Sequence, residues 1–203
     1  MCPANPCRVS TETPHVSTAS PEQAIAATRH WVETVVVGLN LCPFAKRELV
    51  RERIRFVASE ATDDDALMMS LQAELELLQA NDAIETTLLI HPRVLTDFAD
   101  YNQFLDVVDV LLAQMRLTGQ LQVASFHPDY QFAGTDADDV ENFTNRSPYP
   151  MLHLIREASL GAAIANYPDP ENIPTRNIER VESLGKDAMQ ALLQACFARA
   201  NNS

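Results

Sequence analysis

The sequence has few glycines and lacks a glycine-rich loop. Only 5 of its 203 residues are glycine, and no stretch reads G-x-G-x-x-G or G-x-x-x-x-G-K-[ST]. Such motifs let backbone amides approach a phosphate group closely. Their absence argues against a nucleotide held by a glycine-rich loop.

Positive charge is also scarce. The chain has 15 lysines and arginines against 28 aspartates and glutamates, which gives a formal net charge of −13. This charge repels a phosphate backbone, and no run of Lys or Arg offsets it locally. We therefore expect neither nucleic acid nor an anionic membrane as a partner.

Long apolar runs and cysteine pairs are missing as well. No apolar run approaches the ~20 residues needed to cross a bilayer, and the first residues lack the basic and apolar regions of a secretory signal. The four cysteines contain no C-x-x-C pair, which favours free thiols over a structural zinc site. We expect a cytoplasmic protein.

The chain divides into a tail and one domain. Residues 1–19 are rich in Pro, Ser and Thr and have almost no periodic apolar residues, so we predict a disordered tail. A helix signal begins at Ser20, followed by Pro21 at the first helical position and Gln23 placed to complete a capping box. Residues 20–203 are long enough for a single α/β domain.

Hydrophobic periodicity alternates between helix and strand along this domain. The predicted strands are 54–58, 86–90 and 121–126, and the predicted helices are 20–39, one beginning at the acidic residues 62–65, 96–117, a short one after Arg146, and a last region over 175–198. This alternation predicts a three-layer α/β fold, with a mostly parallel sheet of few strands and helices on both faces.

Two successive predicted strands end in His-Pro. In an open parallel sheet, ligands bind beyond the carboxyl ends of the strands, so His91 and His127 should face one crevice. We predict His91, His127 and Asp129 as catalytic residues, because histidine transfers protons near neutral pH and also binds metals. The alternative is that each imidazole only bonds a loop carbonyl.

A second polar cluster follows Arg146. If Ser147 and Pro148 start a helix, then Tyr149, His153 and Arg156 share one of its faces. We predict Arg146 as the anchor of an anionic group, because its planar fork of donors suits a carboxylate or a phosphate. The other predicted substrate-binding residues are Tyr149, His153, Tyr130 and Asn142. The alternative for Arg146 is a salt bridge to Asp136, Asp138, Asp139 or Glu141.

Two further features leave alternatives open. The acidic stretch 135–142 lacks the spacing of a calcium loop and is interpreted as a solvated loop or a lid. Together with His127 and His153 it could supply a carboxylate to iron or zinc. Cys42, on a turn before Pro43, is either a small buried hydrophobic residue or a reactive thiol.

Four stretches resemble a known family. They read Leu-Cys-Pro-Phe-Ala at 41–45, Thr-Leu-Leu-Ile-His-Pro at 87–92, Phe-His-Pro-Asp-Tyr-Gln-Phe at 126–132 and Asn-Arg-Ser-Pro-Tyr-Pro at 145–150. They resemble the bacterial family numbered 1415 among the domains of unknown function, over about residues 24–185. The resemblance implies a bacterial, intracellular, single-domain protein and carries no assigned activity.

These features support three hypotheses about function. The first is an enzyme acting on a small anionic metabolite through His91 and His127, with Arg146 holding the anion. The second is an iron- or haem-dependent oxidoreductase, in which His127 binds iron together with His91 or His153. The third is a non-catalytic binding protein whose polar loop contacts a protein partner. The residues specify no particular metal or cofactor.

Overall fold

A computed structural model describes residues 19–200 of the chain. The predicted tail, residues 1–19, therefore lies outside the described residues except for Ala19. Between residues 19 and 200 the structure has seven α-helices and four strands. The helices are α1 (Pro21–Trp31), α2 (Ala45–Val50), α3 (Asp64–Ala80), α4 (Phe98–Gln114), α5 (Glu157–Ala165), α6 (Ile173–Leu184) and α7 (Lys186–Ala200). The strands are β1 (Ile54–Ala58), β2 (Thr86–Ile90), β3 (Leu121–Phe126) and β4 (Met151–Arg156).

Side chains cap the helix starts as the sequence predicts. Ser20 Oγ accepts from the Gln23 amide at 3.3 Å, and Gln23 Oε1 accepts from the Ser20 amide at 2.9 Å, which completes a capping box. The Asp63 carboxylate accepts from the amide of Ala66 and so caps α3. After Trp31, α1 continues as a π-helical turn over Val32–Val37. In the described part, no helix has both the length and the apolar character needed to span a bilayer.

The sheet is mixed, with the strand order β1-β2-β4-β3. β1 and β2 are parallel, and β4 lies antiparallel between β2 and β3. The predicted strands at 54–58, 86–90 and 121–126 are confirmed. The prediction of a mostly parallel sheet is wrong, because the inserted β4 is antiparallel to both of its neighbours.

The segment predicted as a short helix after Arg146 forms β4 instead. Two of the six residues before it, Pro148 and Pro150, are prolines, and prolines remove amides that a helix would need. A short apolar run suits either a helix or a buried strand, and here both neighbouring strands pair with it. His153 and Arg156 lie three residues apart in a strand and so point to opposite faces. The predicted helix face shared by these two residues and Tyr149 is therefore wrong.

Helices cover both faces of the sheet. Alternate strand residues point to opposite faces and pack in two separate hydrophobic clusters. Leu89, Leu152 and Leu154 pack with apolar residues of α3 and α4. Leu88 and Met151 pack on the other side with residues of α1, α6 and α7. This arrangement gives the domain three layers and leaves the carboxyl ends of β2 and β3 at one edge of the sheet.

Tyr101 of α4 joins β3 to β4 at that edge. Its hydroxyl oxygen accepts from the Phe126 amide at 3.0 Å, and its hydroxyl proton is donated to the Met151 carbonyl at 2.8 Å. The side chain is fully buried. The hydroxyl thus satisfies one backbone group on each strand, and a buried backbone group without a partner is costly.

We expect Tyr101→Phe to lower the free energy of unfolding by about 2 kcal/mol, because a buried carbonyl and a partly buried amide then lose their partner. Urea unfolding followed by circular dichroism measures this change. Tyr149→Phe is the matched control, because Tyr149 is also buried but no hydrogen bond of its hydroxyl is found between residues 19 and 200. Equal losses in both variants would contradict the bridging role of Tyr101.

Candidate functional site

The two strand-end histidines lie on either side of the segment that leads into β4. The His91 amide donates to the Pro150 carbonyl at 3.0 Å, and the His127 amide donates to the Asn145 carbonyl at 3.3 Å. Both histidines follow strands that run in the same direction, since each of these strands is antiparallel to β4. The structure therefore places them at one edge of the sheet.

The ring of Tyr101 lies next to both imidazoles. Its centroid is 5.8 Å from that of His91, with the rings nearly parallel, and 5.1 Å from that of His127. Phe98, also on α4, contacts His127 at 5.4 Å and Tyr130 at 5.1 Å between centroids. Both histidines are fully buried in this aromatic cluster. The open crevice that the sequence predicts is absent at these two rings.

His91 has one bonded and one free ring nitrogen. Nδ1 is 2.9 Å from the Val94 carbonyl, and because a carbonyl only accepts, Nδ1 carries the proton. Nε2 is buried and has no hydrogen-bond partner among residues 19–200. Burial lowers the pKa of His91 to about 4. The ring is thus neutral at neutral pH, with an unsatisfied lone pair on Nε2.

His127 has the opposite tautomer. Nδ1 accepts from the Asp129 amide at 3.0 Å, so the proton lies on Nε2, which donates to the Leu95 carbonyl at 3.2 Å. Burial lowers the pKa of His127, and the negative charge of the Asp129 carboxylate opposes this shift. The two imidazoles therefore differ in which nitrogen donates.

Both imidazoles hold the same loop. They donate to the consecutive carbonyls of Val94 and Leu95, in the segment 91–97 between β2 and α4. Leu95 adopts the left-handed conformation with φ 53°, which costs a residue with a Cβ about 1–2 kcal/mol. The alternative in which each imidazole bonds a loop carbonyl is thus what the structure contains.

Arg146 binds loop carbonyls rather than acidic side chains. Its Nε donates to the Tyr130 carbonyl at 3.2 Å and its Nη2 to the Ala137 carbonyl at 2.7 Å. Its guanidinium lies 4.7 Å from the ring centroid of Phe143. In the described part of the chain no ion pair involves Arg146, and Asp138 pairs with Lys186 instead. The alternative of a salt bridge from Arg146 to the acidic loop is therefore not found between residues 19 and 200, and the anion-anchor role stays a prediction.

Asn142 organises the same loop. Its Oδ1 accepts from the Phe132 amide at 3.0 Å and from the Thr135 hydroxyl at 2.9 Å, and its Nδ2 donates to the Asp136 carbonyl at 2.8 Å. The residue is fully buried. Its polar atoms are thus engaged within the loop, which gives Asn142 a structural role beside its predicted one.

Tyr149 and His153 contact groups on the α1 and α7 side of the sheet. Tyr149 is buried against Phe197 of α7, with ring centroids 5.4 Å apart. His153 faces the α1 and α7 side of the sheet, where its ring is 6.1 Å from that of Phe126. His153 Nε2 is 2.7 Å from the Thr86 hydroxyl, and burial lowers the pKa of His153 to about 4. The helix face on which Tyr149 and His153 were predicted does not form, because residues 151–156 are the strand β4, and their substrate-binding role stays a prediction.

The structure thus divides the predicted site into two groups. It brings together His91, His127, Asp129, Tyr130 and Arg146, because Asp129 influences the pKa of both His127 and Arg146 and Arg146 bonds the Tyr130 carbonyl. Tyr149 and His153 contact Phe197 and Phe126 instead.

Metal ligands are not grouped in this region. Between residues 19 and 200 no three His, Cys, Asp or Glu residues lie close enough to hold one ion. His127 contacts Phe98 and Tyr101 of α4, whereas His153 contacts Phe126 on the other face, and the alternative of an iron site at His127 stays a hypothesis. Cys42 is half-buried and free, and burial raises the pKa of its thiol, which does not favour a reactive thiolate.

A cavity of about 210 Å³ between the segment after α1 and helix α6 was missed by sequence reasoning. Its polar lining includes Arg176 and Arg180, which lie four residues apart on α6. The sequence interpretation of 175–198 used only the apolar stripe. The available signal was this pair of arginines at helical spacing.

Comparison with known proteins identifies the family. A family model described as "Protein of unknown function (DUF1415)" matches residues 23–191, and the chain belongs to this family. No curated protein and no solved structure matches the chain. The resemblance predicted from the four sequence stretches is confirmed.

The burial of His91 predicts a pH dependence of stability. Its pKa is about 4 in the folded chain and 6.5 in the unfolded chain, so the unfolded chain binds more protons between these values. The stability contributed by this ring is complete above pH 6.5 and is lost as the pH falls toward 4. We expect the wild type to lose on the order of 3 kcal/mol relative to His91→Asn over this window.

Urea unfolding of both proteins at several pH values measures this difference. The contributions of carboxylates present in both proteins cancel when the two are compared. The Asn amide nitrogen can replace Nδ1 as donor to Val94, so the variant keeps the loop bond. A difference between the two proteins that does not change with pH would show that His91 is not a buried neutral ring.

A second prediction concerns Arg146→Lys. Lysine cannot bond the carbonyls of Tyr130 and Ala137 with one planar fork, so we expect backbone amides in 131–139 to exchange about tenfold faster. Hydrogen exchange measured by mass spectrometry tests this. Lys186→Met is the control, because its ion pair with Asp138 is exposed and should contribute little. Faster exchange in the control alone would assign the loop's order to the ion pair.

Proposed function

We propose that this member of the DUF1415 family is an enzyme that acts on a small anionic metabolite at the carboxyl edge of the sheet, with His91 Nε2 as the proton acceptor. One observation carries the proposal: Nε2 is a fully buried lone pair on a neutral ring, with no partner among residues 19–200. A buried polar atom left unpaired costs about 1–3 kcal/mol. A proton or hydrogen bond brought by a substrate would offset this cost.

Access to His91 requires the loop 91–97 to move. The two imidazole bonds and the buried side chains of Val94 and Leu95 hold the loop over the rings, and left-handed Leu95 adds strain that opening relieves. Loop opening before or after chemistry is common in enzymes. Water admitted by opening would also raise the pKa of His91 toward its ordinary value near 6.5, which makes the ring a better base.

Charge supports an anionic substrate. A chain with a net charge of −13 attracts an anion only through local cations. Arg93 is exposed in the moving loop, and Arg146 has guanidinium protons beyond the two that bond carbonyls. We assign the anchor role to Arg146. Asp129 orients His127 through its amide and stabilises the charged form of that ring through its carboxylate.

We also propose a cytoplasmic setting. Cys42 and Cys196 are both free thiols in the structure. Free thiols are typical of proteins in reducing compartments.

The proposal is tested with His91→Asn and His127→Gln. Pools of small carboxylates and phosphate esters are incubated with each protein at neutral pH and followed by proton NMR. We expect the wild type to convert a member of one pool, and His91→Asn to do so at least about a hundredfold more slowly, because general base catalysis typically contributes that much. His127→Gln keeps the donor to Leu95 and should lose less.

Thermal unfolding at neutral pH serves as the stability control for both variants. Conversion by His91→Asn at the wild-type rate would contradict the role of Nε2. Failure of the wild type to convert any pool member would contradict the proposed activity on small anions.

A further inference from the structure

We propose that the cavity between the segment 39–43 and helix α6 is a binding site for a small organic dianion, either a dicarboxylate or a phosphate monoester. The cavity has a volume of about 210 Å³. This site is separate from His91 and His127 and does not depend on the function proposed for those residues.

The walls come from two parts of the chain that are tied together. The polar and aromatic lining consists of Asn40, Tyr167, Arg176, Asn177 and Arg180. Asn177 Nδ2 donates to the Leu41 carbonyl at 2.7 Å, which fixes α6 to the opposite wall. Phe44 contacts Tyr167 edge to face, with centroids 5.5 Å apart. The cavity is therefore held open between two connected walls.

Two arginines give the cavity its charge. Arg176 and Arg180 are four residues apart on α6, so their side chains share one face of the helix. Arg176 lies 5.6 Å from the Tyr167 ring centroid and donates to the Asp169 carbonyl at 3.2 Å. The side chain of Arg180 has no hydrogen-bond or ion-pair partner within residues 19–200, and Arg176 has no ion pair there either.

Two like charges at this spacing repel each other, and a bound anion removes that repulsion. Guanidinium groups suit carboxylate and phosphate groups because their donors form a planar fork. The chain carries a net charge of −13, so two neighbouring cations without ion-pair partners create a local positive potential on a negatively charged protein. The arrangement therefore favours a ligand with two negative charges.

The size of the cavity limits the ligand. Drug-sized ligands need roughly 300 Å³ or more, which this cavity does not provide. Pro43 and the Tyr167 ring supply an apolar surface for a short carbon chain. Small dicarboxylates and small phosphate monoesters meet both limits.

The segment 41–45 contributes to the proposed site. This stretch is one of the four that resemble the family, and the proposed chemistry of His91 uses none of it. Pro43 lines the cavity directly, and the Leu41 carbonyl receives the bond from Asn177. The segment thus builds one wall of an anion site.

The experiment titrates ¹⁵N-labelled protein with succinate, glycerol 3-phosphate or acetate at constant ionic strength, and follows backbone amides by NMR. We expect succinate or glycerol 3-phosphate to shift amides near Asn40, Tyr167 and Arg180, and to bind more tightly than acetate. The tighter of the two dianions identifies the ligand group as carboxylate or phosphate. Arg180→Gln should weaken the affinity about tenfold.

Arg116→Gln is the matched control. It removes the same charge from an exposed arginine just beyond α4, and α4 belongs to the other face of the sheet. Both arginines are exposed, so both variants should unfold at the wild-type temperature. If Arg116→Gln weakens dianion binding as much as Arg180→Gln, binding reflects general charge attraction and the proposal is overturned. Equal affinity for acetate, or no shift in the cavity amides at millimolar dianion, would overturn it as well.

His91→Asn tests whether the cavity binds dianions independently of the proposed catalytic site. We expect its dianion affinity at the cavity to equal that of the wild type. A loss of affinity in His91→Asn as large as in Arg180→Gln would contradict two independent sites.

Discussion

The pairing of β4 with both β2 and β3 sets the geometry on which the carboxyl edge of the sheet depends. Neighbouring strands lie about 4.8 Å apart, so a strand between β2 and β3 separates their ends by nearly 10 Å. One aromatic ring fits that interval, and Tyr101 is 5.8 Å from His91 and 5.1 Å from His127. The same tyrosine bonds a backbone group on β3 and another on β4. The position of β4 therefore explains why the histidines meet through α4 rather than directly.

Much of the fold follows from local sequence patterns. The apolar runs at β1, β2 and β3 and the capping residues of α1 and α3 act over a few residues, so they can be recognised without tertiary information. β4 was missed for a physical reason. Met-Leu-His-Leu-Ile-Arg, residues 151–156, is short and apolar, and its conformation is decided by pairing with strands that lie far away in the sequence.

The site was predicted in part for the same reason. A strand end is a local feature, so His91 and His127 could be assigned to one edge of the sheet from sequence. Their burial depends on Phe98 and Tyr101, which α4 delivers through tertiary packing. The partners of Arg146 also depend on the path of its loop, which composition does not define. Arg176 and Arg180 were overlooked because a cavity requires two walls, and the second wall is more than 130 residues away from Asn177, at Leu41.

The late position of β4 in the sequence affects how the chain is made. β2 is the most buried strand, with five buried residues and neither charge nor proline. Its bond to β4 between Thr86 and His153 closes a separation of 67 residues. During synthesis, β2 therefore has one unpaired apolar edge until residues 151–156 leave the ribosome, and such edges promote association between chains. A chain that ends before β4 therefore exposes an apolar strand edge that the complete domain covers.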